Sequence, residues 1–161
     1  MKSIGPTTPY GYSYFCDDIR REIRGKSSHI GIYSGDLIIY RDFPVTLTKL
    51  CIIVYYIERP GESEEPVELR VCFPGEDEDN PRIRGMLPVE DLRKNFVPKD
   101  DGEDMTLTVR SEIEVVPCPL KEHGFIKVRA YRGDLEVRLG ALLIRSEKGA
   151  PPSSDAAPKP T

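Results

Sequence analysis

Residue types that could do chemistry are densest between Tyr14 and Tyr33, where Asp17 and Asp18 stand beside Arg20, Arg21 and Glu22. Two neighbouring carboxylates can hold a divalent cation or divide acid and base duties. Adjacent residues on a strand point to opposite faces, however, so such a pair converges only across a bulge. The plainer reading is an edge or end strand guarded by charge against wrong pairing. Polar groups here still exceed what a hairpin needs, which makes Asp17, Asp18, Arg20, Lys26 and Tyr33 the candidate binding residues.

The nucleophile inventory is Cys16, Cys51, Cys72 and Cys118, and the only histidines are His29 and His123. A hydrolase would need Cys16, or a carboxylate, beside one of those histidines, with Asp17 a possible third member. Nothing in their spacing brings them together. The cysteines form no Cys-x-x-Cys pair and no Cys/His cluster of zinc spacing, so neither a metal site nor a cofactor is expected. Each cysteine lies in or next to an apolar run, the place of a buried reduced thiol acting as a small hydrophobe. The chain carries no Gly-x-Ser-x-Gly elbow, phosphate-cradling loop, His-Glu-x-x-His or dinucleotide fingerprint, and no catalytic residue is expected.

Two acidic runs, Glu76 to Asp79 and Asp100 to Asp104, raise the alternative of a calcium-binding C2-like sandwich. They lack the alternating Asp-x-Asp spacing that aims several oxygens at one ion, and charge runs are usually solvated. Arg132-Gly133-Asp134 spells the tripeptide that integrins read, but a turn explains it more simply, since Gly and Asp suit turn backbones. Local basicity on the last hairpin, including Lys127 and Arg129, lacks the interleaved aromatics of a base-stacking surface. Tyr10, Tyr12 and Tyr14 alternate along one strand and present three phenols to one face, either as a recognition surface or as sheet cover with wet tips.

These residues must be positioned by a chain of 161 residues with net charge -4, 39% apolar and 31% charged. That suits one soluble domain and disfavours nucleic acid as a partner. No apolar run approaches a membrane span and the N-terminus lacks a secretory h-region, so no membrane association is expected and the location read is cytoplasmic. Residues 1–9 read as a flexible arm, 10–146 as the domain and 147–161 as a disordered tail.

Strand-length segments fill the domain. A hairpin is expected from Tyr12 to Ile23 and Ser28 to Tyr33 around Gly25-Lys26, then short strands at Leu37 to Tyr40 and Leu47 to Ile57. Leu50, Ile52, Val54 and Tyr56 fill one face of that last strand while Cys51, Ile53, Tyr55 and Ile57 make the other apolar, the mark of a central strand. Further strands follow at Val67 to Phe73, Arg82 to Leu87, Met105 to Val115, Phe125 to Tyr131 and Leu135 to Ile144, the last with Leu135, Val137, Leu139, Ala141 and Leu143 facing inward. Pro88 to Phe96, with Pro first and acids in the first turn, is the sole expected helix. The fold class is therefore all-β, an antiparallel β-sandwich of about eight strands with at most one short helix, and barrel closure is its rival.

Phe15-Cys16-Asp17-Asp18-Ile19-Arg20, Glu22, Gly25-Lys26, Ile30-Gly31-Ile32-Tyr33, Phe43-Pro44 and Leu47 to Leu50 together resemble an uncharacterised family of small bacterial proteins. The likeness covers the first third of the chain and, more faintly, Pro119-Leu120 to Gly140. It implies a family identity and supplies no substrate, cofactor or catalytic residue. The function expected is that of a non-enzymatic binding or accessory protein, recognising another protein or a small-molecule ligand through strand faces or end loops.

Overall fold

The computed structural model describes residues 6–97 and 105–148. Strands make up 57% of it, in several sheets, so the fold is all-β. Among the described residues eleven strands occur, more than the roughly eight expected: β1 (Tyr10–Arg21), β2 (Ser27–Ile32), β3 (Asp36–Ile39), β4 (Val45–Leu47), β5 (Leu50–Glu58), β6 (Val67–Cys72), β7 (Ile83–Leu87), β8 (Leu107–Val115), β9 (Cys118–Leu120), β10 (Gly124–Arg132) and β11 (Leu135–Ser146). One sheet has the order β2-β1-β5-β8, a second β3-β11-β10-β6-β7, and β4 pairs with β9 alone. The surplus strands come from that small ribbon: the run read as one strand from Leu47 to Ile57 breaks at Thr48-Lys49 into β4 and β5, each with different partners. Among the described residues no helix is long and apolar enough to cross a membrane.

The helix forms where Pro88 and the acids foretold it. α1 (Val89–Lys94) has Glu90 and Asp91 in its first turn and Arg93 and Lys94 in its last, charges that complement the helix dipole. Asn95 ends it, its side-chain amide donating to the Asp91 carbonyl at 2.8 Å. The first hairpin also forms, closed by a short 3-10 turn over Ile23–Gly25, but its charged strand β1 is not an edge: it pairs with β2 on one side and β5 on the other.

One core joins the two large sheets. Phe15, Leu50, Ile52, Val54, Tyr56 and Val109 from the first pack with Val67, Leu69, Val71, Ile126, Val128 and Leu139 from the second. The opposite face of the four-stranded sheet carries a smaller cluster, Cys16, Ile19, Cys51 and Ile53, roofed by Tyr14 and Tyr55. This explains why β5 is apolar on both faces.

Two expectations are corrected. The pairing is not wholly antiparallel, because β3 lies parallel to β11, Leu37 opposite Ile144. The inward face of β11 is not continuous either. Val137 and Leu139 are buried, then the phase slips and Leu142 and Ile144 take over, leaving Leu135 and Ala141 exposed. The cause is a β-bulge: the β10–β11 register shifts between Val128 and Arg129, and Gly140 takes φ +127° with Ser13 Oγ 2.9 Å from where its Cβ would stand. Without a side chain there, β11 bends against β1, and Ser13 Oγ donates to the Leu139 carbonyl at 2.9 Å.

The expected arm and tail fall mostly outside the described residues. Inside them, the Glu147 N–H donates to the Ile39 carbonyl at 2.9 Å.

Candidate functional site

The five residues singled out in the first hairpin separate into small groups. Tyr33 donates its hydroxyl to the Asp17 carboxylate, and burial together with that bond raises the phenol's pKa. Asp17 lies over Gly31, whose φ of +68° and missing side chain make room: a Cβ there would overlap the carboxylate. Asp18 goes elsewhere, accepting from Lys49 Nζ at 2.8 Å, which also reaches Glu114 at 3.2 Å. The two aspartates thus serve different partners. Arg20 pairs with Glu22 at 3.4 Å, and Lys26 has no side-chain partner among the described residues.

Asp18, Cys51 and Glu114 bring their ligand atoms within 4.8 Å of one another, a spacing that suits a metal ion. Lys49 already supplies the positive charge between the two carboxylates. Their hydrogen bonds raise its pKa, and its ammonium holds that of Asp18 down. Burial pushes the Cys16 thiol up to about 11 and raises Cys51 as well, so neither is a ready thiolate. All four cysteines are free and buried.

On the same outer face of the four-stranded sheet, strand alternation gathers Tyr14 from β1, Ser27 and His29 from β2, and Arg110 and Glu112 from β8. Sequence reading missed this network. Its only trace was period-two spacing, Ser27-x-His29 and Arg110-x-Glu112, in strands not known to share a sheet. Ser27 Oγ donates to Glu112 Oε1 at 2.7 Å, so towards His29 it can only accept, and His29 Nε2 is the donor at 3.1 Å to Ser27 and 3.3 Å to Glu112. In the neutral ring Nδ1 then accepts from Tyr14 Oη at 2.7 Å. A nucleophilic serine needs the reverse, an unprotonated nitrogen facing its hydroxyl with the carboxylate on the other nitrogen. The arrangement orients side chains and does not activate one. Glu112 also meets Arg21 at 3.0 Å and Arg110 at 3.3 Å. The Ser27 hydrogen bond, then His29 and the two arginines, hold its pKa below the usual carboxylate value despite burial. Tyr12 and Tyr55 stack beside this network with ring centroids 4.7 Å apart.

A second polar centre is internal. Glu58, 1% exposed, accepts Arg93 Nε at 2.7 Å and Nη2 at 3.0 Å, Tyr56 Oη at 3.0 Å and Arg132 Nη1 at 3.5 Å. It ties β5, β10 and α1 together. Arg132 also reaches Glu62 at 3.1 Å, so the arginine of Arg132-Gly133-Asp134 is turned inward and engaged.

The first acidic run is committed internally. Glu76 binds Arg82 Nε at 2.7 Å, Glu78 pairs with Lys127, and Asp77 accepts the Asp79 N–H at 3.0 Å. The second run lies outside the described residues. His123 is exposed, lining with Glu122 and Lys127 a shallow depression of about 260 Å³.

β2, which brings Ser27 and His29 to that outer-face network, also has an unpaired side. It is the outer strand of its sheet, none of its residues is buried, and Ile30 and Ile32 are 50% and 57% exposed. Compared with protein-family models, with curated proteins and with solved structures, the chain matches none of them.

Proposed function

We propose that the chain is a non-enzymatic, protein-binding accessory module, a β-sandwich whose recognition surface is the first hairpin and the adjoining outer face of the four-stranded sheet. The observation that carries this reading is β2, an edge strand with exposed isoleucines and free main-chain groups, which is the means by which sheets capture an extended partner. The stacked tyrosines and the fixed His29 network give that edge a rigid polar flank, and rigidity lowers the ordering cost of binding. Four free, buried thiols support placing it in a reducing cytoplasm. The resemblance to a family of small bacterial proteins is part of the same proposal and adds no ligand to it.

A photo-crosslinking residue placed at Ile30 on β2, and separately at Arg84 on the outer strand of the other sheet, tests the reading in the native host. Protein adducts concentrated at position 30 are expected. Equal yields at both positions, or none at position 30, would overturn it.

A further inference from the structure

Resting on that reading, we infer that the partner at the β2 edge is a second copy of this chain, joined strand to strand in antiparallel fashion. Four strands end the two large sheets. β8 carries Arg110, Glu112 and Glu114, β3 carries Asp36 and β7 carries Arg84, whereas Ser27–Ile32 holds no formally charged residue. Charge on an outer strand is the usual guard against edge-to-edge pairing, and β2 lacks it.

The unsatisfied charges lie at its two ends. At the turn, Arg24 and Lys26 are exposed and have no partner among the described residues. At the far end, Asp17 lies over Gly31 with the Tyr33 hydroxyl as its side-chain partner and no cation beside it among the described residues. An isologous antiparallel pair, with its two-fold axis normal to the sheet and passing near Ser28–His29, reverses one copy against the other. The basic end of each β2 then meets the acidic end of the other, twice. The two four-stranded sheets become one continuous sheet, and the Ile30 side chains leave water. Positive φ at Gly31 limits the regular ladder to Ser27–Ile30, so the charged ends select the partner and fix its direction.

Light scattering on the full chain after gel filtration, over a wide range of protein concentration and at low and high salt, reads this directly. A dimer is expected that dissociates as salt rises, because its selecting contacts are exposed charges. Lys26→Glu removes no internal contact and is expected to give a folded monomer. Asp17→Lys should also be monomeric, and combining the two should restore the dimer. Ile30→Lys should abolish it with an unchanged circular dichroism spectrum, while Lys121→Glu, between β9 and β10, should leave it intact. A monomer at every concentration overturns the inference, as does a dimer that survives both Lys26→Glu and Ile30→Lys. If the chain is monomeric yet position 30 still cross-links to a different protein, the self-pairing fails and the binding module stands; no adduct of any kind at position 30 removes both.

Discussion

Replacing Glu58 with Gln keeps the shape of the side chain, removes its charge and turns one of its two accepting oxygens into a donor facing donors. Two guanidinium groups then stay beside a neutral amide, Arg93 12% and Arg132 10% exposed. Breaking a buried ion pair from one side costs about 3–5 kcal/mol, and the slight exposure of both arginines places this one near the lower end, about 3 kcal/mol. For a domain of this size each kcal/mol moves the melting temperature by about 2–4 °C, so Glu58→Gln should melt about 6–12 °C lower. The comparison is Glu90→Gln, whose partner Lys94 sits 4.0 Å away on the helix surface with both side chains more than half exposed. That change should cost under about 0.5 kcal/mol. Calorimetry of both variants and of Arg93→Gln, with the Glu58→Gln/Arg93→Gln double variant closing a cycle, measures the coupling. If Glu58→Gln shifts the melt no more than Glu90→Gln does, Glu58 does not hold β5, β10 and α1 together.

Two further outcomes follow from other parts of the molecule. The carboxyl of Glu112 has its pKa lowered in the folded state, so its stabilisation is complete above the ordinary value of 4.5 and is lost as pH falls through the lower folded value. Glu112→Gln should therefore flatten the acid side of the melting temperature against pH relative to wild type, and an unchanged slope there would show that the network carries no linkage. On β11, Leu142→Ala should cost about 2–5 kcal/mol and Leu135→Ala under about 1 kcal/mol in urea titrations, because the bulge buries the first and exposes the second; the opposite order would mean the strand keeps one phase throughout.

What was legible in the sequence was local. β5 stood out because seven successive apolar residues, Cys51 to Ile57, leave no wet face, and α1 because Pro88 and two acids mark a helix start. β11 was read in the wrong phase after Leu139, since a glycine in a strand marks a bulge only once its partner strand is known. β4 and β9, three residues each, are too short to show a period. The parallel pairing of β3 with β11 joins segments far apart in the chain, and no local pattern announces it. The candidate residues all fall in or beside the first hairpin, but Lys49, which binds Asp18, and Glu114 beyond it come from β5's entrance and from β8, so their grouping followed from sheet order. Glu58 left one sign, an acid closing an apolar strand on the phase of Leu50, Ile52, Val54 and Tyr56.

The pairing of β3 with β11 has a consequence for synthesis. Arg145 Nε reaches Asp36 Oδ2 at 2.7 Å across 109 residues of sequence, so β3 has no sheet strand to pair with until β11, the last described strand, has been made. Leu37 and Ile39 must wait exposed through most of translation, and closing so long a loop sets the pace of folding. The β1–β2 hairpin is different, since its two strands are neighbours in sequence and can pair within moments of emerging.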